Sequence, residues 1–130
     1  MMDLILWRHA HARDLVEGEE DIQRPLTPRG EKQAAHMAAW LRKHLPDGLR
    51  VLASPAVRTE QTVKALNRKY KLRAELLPDG LPQDLLELAQ WPSAQGTVLV
   101  VGHQPMLGQV AAQLLGMQAS ECAIRKGSVW

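Results

Sequence analysis

The chain has 130 residues, 45% hydrophobic and 23% charged, which fits one globular domain over residues 1–130. That length excludes a (βα)8 barrel, a fold of at least about 200 residues. Sixteen Lys+Arg against fourteen Asp+Glu leave only +2, and 4% aromatics with no Phe offer no base-stacking surface, so no nucleic-acid partner is expected. The lone cysteine, Cys122, cannot pair internally, there is no Lys/Arg-led apolar leader, and the longest apolar run, Val98 to Val101, is far short of a membrane span. The expectation is a cytoplasmic protein with no membrane contact.

Leu4 to Trp7 reads as a strand buried on both faces, breaking into Arg8-His9-Ala10-His11. Asp14 to Gln23, with Glu17, Glu19, Glu20 and Asp21, reads as a solvated acidic loop. Thr27-Pro28 opens a helix as N-cap and first helical residue, with Ala34, Ala38, Leu41 and Leu45 as its apolar stripe and Pro46-Asp47-Gly48 as its stop. Arg50 to Ala53 is a second strand. Ser54-Pro55 repeats the cap-then-proline signal for a helix running to about Tyr70. Arg73 to Leu77 reads as a third strand, Pro78-Asp79-Gly80 as a turn, and Gln83 to Gln90 as a helix. Thr97 to Val101 is the clearest strand; Gly102-His103-Gln104-Pro105 leads into a helix to Leu115, stopped by Gly116. Ala123 to Trp130 reads as a final strand cut off mid-element, so the native chain is expected to continue. Trp7, Trp40 and Trp91 read as core or boundary packing, and His36 and His44 as solvated helix residues. The alternation predicts an α/β fold, three-layered, with a mainly parallel central sheet between helices.

Three strands end in polar clusters: Arg8-His9, Ser54-Pro55 with Arg58, and Gly102-His103. Ligands of open α/β sheets bind outside the carboxyl ends of the strands, so parallel neighbours would converge two imidazoles and two guanidiniums. Arginine forks match phosphate oxygens, helix N-termini favour anions, and an imidazole can carry a phosphoryl group covalently. No carboxylate cluster accompanies these residues, so no metal and no other cofactor is expected.

Leu6-Trp7-Arg8-His9-Ala10, Arg24 to Gly30, Ser54 to Thr62 and Val100-Val101-Gly102-His103 together resemble the histidine phosphatase (phosphoglycerate mutase-like) superfamily over residues 2 to about 128. The short length and the Arg24–Gly30 segment resemble its SixA-type branch, the protein phosphohistidine phosphatases. The resemblance implies a phosphoglycerate mutase-like sheet and a metal-independent phosphatase whose nucleophile, His9, becomes phosphorylated. It also implies that Arg8, Arg58 and His103 hold the phosphoryl oxygens, that Arg24 lines the mouth, and that the Gln104 amide reaches the phosphate. Two positions depart from the pattern. Ala10 stands where most members have Gly, which is acceptable at negative φ. The acid in the loop after the third strand is represented by Asp79, read both as a turn residue and as a proton donor. His9 must be unprotonated and His103 is more useful as a cation, so a bell-shaped pH–rate profile is expected. The absence of long insertions predicts an open, shallow site suited to phosphohistidine on a partner protein. The alternatives are a small-molecule phosphomonoesterase of the superfamily, a non-catalytic phosphate- or phosphohistidine-binding module, and a metal-dependent phosphoesterase.

Overall fold

The computed structural model describes residues 2–116 and 125–129. Among the described residues, four strands form one parallel sheet: β1 (Met2–Arg8), β2 (Arg50–Ala53), β3 (Lys71–Leu72) and β4 (Gly96–Gly102), in the order β1-β4-β2-β3. The register sets Arg8 opposite Gly102 and Ala53 opposite Val101, so the carboxyl ends of β1, β4 and β2 lie side by side.

Helices α1 (Pro28–His44), α2 (Val57–Lys64), α3 (Pro82–Ala89) and α4 (Met106–Leu114) lie on the two faces of the sheet and make three layers. Alternate strand residues face opposite ways, and the core divides accordingly. Leu6, Leu52, Val98 and Val100 pack with Leu85, Leu107 and Val110 of α3 and α4. Trp7, Val51, Leu99 and Val101 pack with Ala38 and Leu41 of α1 and Val63 of α2. Thr27 caps α1 by accepting from the Gly30 N–H at 3.0 Å, and Pro28 occupies the first turn, as expected.

Several expectations are corrected. Ser54 does not cap α2: Ala56 is the N-cap, with no side-chain cap bond, and the helix stops at Lys64, short of Asn67 in the left-handed region at φ 57°. The third strand is Lys71–Leu72, and Ala74–Leu76 forms a 3-10 turn that buries Leu76 completely. The apolar signal there reported burial rather than an extended chain. Trp40 is 51% exposed and stacks on His44 at 4.1 Å between ring centroids. Trp7 is fully buried, and Trp91 packs partly buried against the core. Of the expected last strand, Val129 bridges Trp7 in antiparallel fashion, while residues 123–124, Trp130 and also Cys122 lie outside the described residues. No described helix is long and apolar enough to cross a membrane.

Gly30 is required by space. A Cβ there would sit 1.9 Å from the carbonyl oxygen of His11. The backbone must move to admit it, so Gly30→Ala is expected to cost about 1–3 kcal/mol, the usual overpacking penalty. A urea midpoint unchanged from wild type would contradict this close approach.

Candidate active site

The sheet edge places the four expected residues together. Arg8 ends β1, and the His9 N–H donates to the Gly102 carbonyl at 3.0 Å, tying the first loop to the end of β4. A Cβ at Gly102 would meet only Leu107, at 3.4 Å, so packing does not demand a glycine there. Ser54 follows β2, and its N–H donates to the Val101 carbonyl at 3.1 Å. Arg58 stands in the first turn of α2. The His9 and His103 rings lie 5.2 Å apart, tilted by 56°. Ala10 adopts no positive φ, so its methyl group is accommodated as expected.

His9 is only 5% exposed, and its Nδ1–H donates to the Ala10 carbonyl at 2.8 Å. That bond fixes the neutral tautomer with the lone pair on Nε2, the atom a nucleophilic imidazole needs. Burial, opposed by the Ala10 bond and reinforced by the charges of Arg58, Arg8 and Lys126, pushes His9 down to about 3. His103, 2% exposed, is pushed down to about 2 by burial, then by His9, Arg58 and Arg8, with Asp21 opposing. The expectation of a cationic His103 is therefore corrected: both imidazoles are neutral at pH 7. With both held well below their ordinary value by burial, no bell shape from these two histidines is expected between pH 5 and 8 in the kcat/KM profile of the free enzyme.

The guanidiniums are arranged by a residue the sequence reading missed. In the sequence Asp21 reads as part of a solvated acidic loop. Instead its carboxylate takes Arg58 Nη2 at 3.0 Å and Arg24 Nε at 2.9 Å, while its backbone carbonyl takes Arg58 Nη1 at 2.8 Å. The outer edge of the Arg58 fork is thus held. Arg58 Nε and His103 Nδ1 remain buried, without a hydrogen-bond partner among the described residues. Arg24 also donates to the Arg13 carbonyl at 3.0 Å, so it belongs to the rim. An aspartate three residues before an arginine is a local ion-pair signal, but its bond to Arg58 spans the fold.

Gln104 is half-buried between β4 and α4, its Oε1 accepting from the Gly108 N–H at 2.6 Å. Asp79 is exposed at its turn and makes no hydrogen bond or ion pair among the described residues. His11 bonds the Thr27 hydroxyl through Nδ1 at 2.8 Å and serves the start of α1. Among the described residues, no group of three or more His, Cys, Asp or Glu is placed to hold a metal ion.

Residues 4–79 match the family described as histidine phosphatase superfamily (branch 1). The chain belongs to that superfamily. This histidine phosphatase is 33% identical over 122 residues to the phosphohistidine phosphatase SixA of Escherichia coli K12, covering 87% of this chain and 74% of that one. It is 30% identical over 130 residues to a SixA homologue of Haemophilus influenzae, covering 88% and 78%. The structure of a SixA protein histidine phosphatase complexed with tungstate superposes with a TM-score of 0.74 at 29% identity, covering 85% of this chain and 75% of that one. The branch is the SixA type, the sheet is phosphoglycerate mutase-like, and the chain is a phosphatase.

Burial of two neutral histidines also makes stability depend on pH. The unfolded chain takes up protons on both below about pH 6.5, whereas the native chain resists until about 3 and 2. The unfolded state therefore binds more protons in that window, and stability falls as pH falls, by about 1 kcal/mol per pH unit for each histidine. Asp21, held below the usual carboxylate range by Arg24 and Arg58 against an opposing desolvation, adds a loss in the same direction at lower pH. Denaturation midpoints should drop between pH 6 and pH 4, and His103→Ala should flatten the slope. A flat wild-type series would contradict the neutral assignment.

Proposed function

We propose that this enzyme removes phosphate from phosphohistidine on a partner protein, without a metal, through a phosphorylated His9. The observation that carries the reading is that the rings of His9 and His103 lie 5.2 Å apart within reach of the Arg58 charge, while Arg58 Nε and His103 Nδ1 are buried donors that lack a protein acceptor among the described residues. A tetrahedral oxyanion is the species that would satisfy them. The tungstate held by the SixA relative supports the same chemistry.

In the first step His9 Nε2 forms a bond to phosphorus while the bond from phosphorus to the leaving imidazole breaks, and that imidazole departs after gaining a proton from solvent. In the second, water attacks phosphorus, the bond to Nε2 breaks, and inorganic phosphate leaves. Arg8, Arg58 and His103 hold the equatorial oxygens in both steps, with Gln104 and Arg24 as further contacts, so catalysis is positioning and charge stabilisation. Imidazole leaves more readily than an alkoxide, so the role assigned to Asp79 as proton donor is needed chiefly for ester substrates. Among the described residues, Asp21, in the short 3-10 turn Asp21–Gln23, forms the outer edge of the cluster with a 45% exposed side chain. The names of the SixA relatives favour a macromolecular substrate. The cytoplasmic setting expected from the lone cysteine belongs to the same proposal.

The test compares turnover of a phosphohistidine protein with that of sugar phosphates, with and without chelator. Clear preference for phosphohistidine and no chelator effect are expected. Comparable turnover of both classes overturns the substrate assignment, and strong inhibition by chelator overturns metal independence.

A further inference from the structure

We infer that Ser54 is a positioning residue that keeps the proton of His103 on Nδ1, so that a neutral imidazole acts as a hydrogen-bond donor to the phosphoryl group. The inference rests on the phosphatase reading for its purpose, but its geometry is independent of which phosphorylated substrate is used.

Ser54 and His103 are both buried, and His103 Nε2 lies 2.8 Å from Ser54 Oγ. The direction of that bond decides where the His103 proton resides. A serine hydroxyl has one proton to give and two lone pairs to receive. One lone pair is taken by the Ala56 N–H at 3.3 Å. No second acceptor for the Ser54 hydroxyl proton is recorded among the described residues. If Nε2–H donated to Oγ, the hydroxyl proton would be buried and unsatisfied, a cost of about 1–3 kcal/mol. If Oγ–H donates to Nε2, Ser54 is satisfied and His103 carries its proton on Nδ1. That nitrogen is the buried one without a protein partner among the described residues.

Ser54 is also held so that its hydroxyl cannot wander. Its N–H is tied to Val101 at 3.1 Å, and its carbonyl accepts from the Thr59 hydroxyl at 2.9 Å. The strand end that precedes His103 therefore fixes the group that orients it. This resolves how His103 can serve while neutral: the correct tautomer supplies a donor without a second proton. The opposite tautomer would present a lone pair to phosphoryl oxygens.

The experiment is long-range 1H–15N correlation spectroscopy on the 15N-histidine-labelled full chain, with His103→Gln to assign the signals. Wild type should show His103 Nδ1 in the protonated range and Nε2 in the unprotonated range. Ser54→Ala should move protonation toward Nε2 and lower kcat on an aryl phosphate by about 10- to 100-fold, the usual cost of losing an orienting partner, with KM little changed. Ser54→Thr, which keeps the hydroxyl, should restore the wild-type pattern. A protonated Nε2 in wild type overturns the inference without any variant. An Ser54→Ala protein with unchanged tautomer and kcat overturns it as well. Loss of preference for phosphohistidine would refute the substrate assignment while leaving the tautomer result standing.

Discussion

His9→Ala is expected to remove turnover and, with it, the acid-labile phosphoenzyme. The two losses belong together because the first bond to phosphorus is made by His9 Nε2, and no other imidazole in the cluster can substitute. His103 Nε2 is engaged by Ser54, and His103 Nδ1 carries its proton in the arrangement inferred above. Removing a covalent nucleophile costs more than removing one stabilising donor, so the fall in kcat should be at least about 10⁴-fold. Binding should respond differently. Arg8, Arg58 and His103 remain in place, so tungstate should still bind, and the substitution relieves one desolvated imidazole. Rapid-quench labelling with a phosphoramidate, followed by mapping of the labelled residue, checks both parts. A labelled residue other than His9 in wild type, or substantial turnover by His9→Ala, would place the nucleophile elsewhere.

The second large effect is at Arg58. Arg58→Ala should lower kcat by about 100- to 1,000-fold, or about 2.7–4 kcal/mol of transition-state stabilisation, by analogy with loss of one oxyanion donor. The guanidinium is 3% exposed and gripped on its outer edge by Asp21, so its inner edge is preset and costs little to order when charge develops on phosphorus. Arg58→Lys should recover only part of the loss. A lysine restores the charge but cannot serve Asp21 on one side and an oxyanion on the other with a planar fork. Steady-state kinetics of the two variants, with the labelling assay on each, separates loss of phosphoryl transfer from loss of binding. An Arg58→Ala enzyme within a few-fold of wild type would mean that Arg8 alone supplies the charge.

What could be read from the sequence was what short segments decide. Thr27-Pro28 announced α1 because a cap and an N1 proline act locally, and Arg8-His9, Arg58 and Gly102-His103 could be brought together because parallel strands end on one side. What escaped was decided by distant partners. Ser54 looked like a cap, but its hydroxyl is taken by His103 from the neighbouring strand, so α2 starts later. Asp21 looked solvated among other acids, because nothing nearby in the chain shows that Arg58 will reach it. The charge state of His103 was misjudged for the same reason: desolvation is set by everything packed around a ring, which no dipeptide encodes. Trp40 failed in the opposite sense, its size suggesting burial while α1 turns it outward onto His44.

The order of strands in space also governs when this catalyst comes into being. β1 leaves the ribosome long before its sheet partner β4, with Met2 aligned to Gly96 and Arg8 to Gly102. The N-terminal strand must therefore wait, apolar and unpaired, until most of the chain has been made, and pairing of such distant segments is intrinsically slow. No early fragment can hold His9 in register with His103. Activity should appear late and all at once during refolding, after the helices of α1 and α2 have formed, rather than growing in proportion to helical signal.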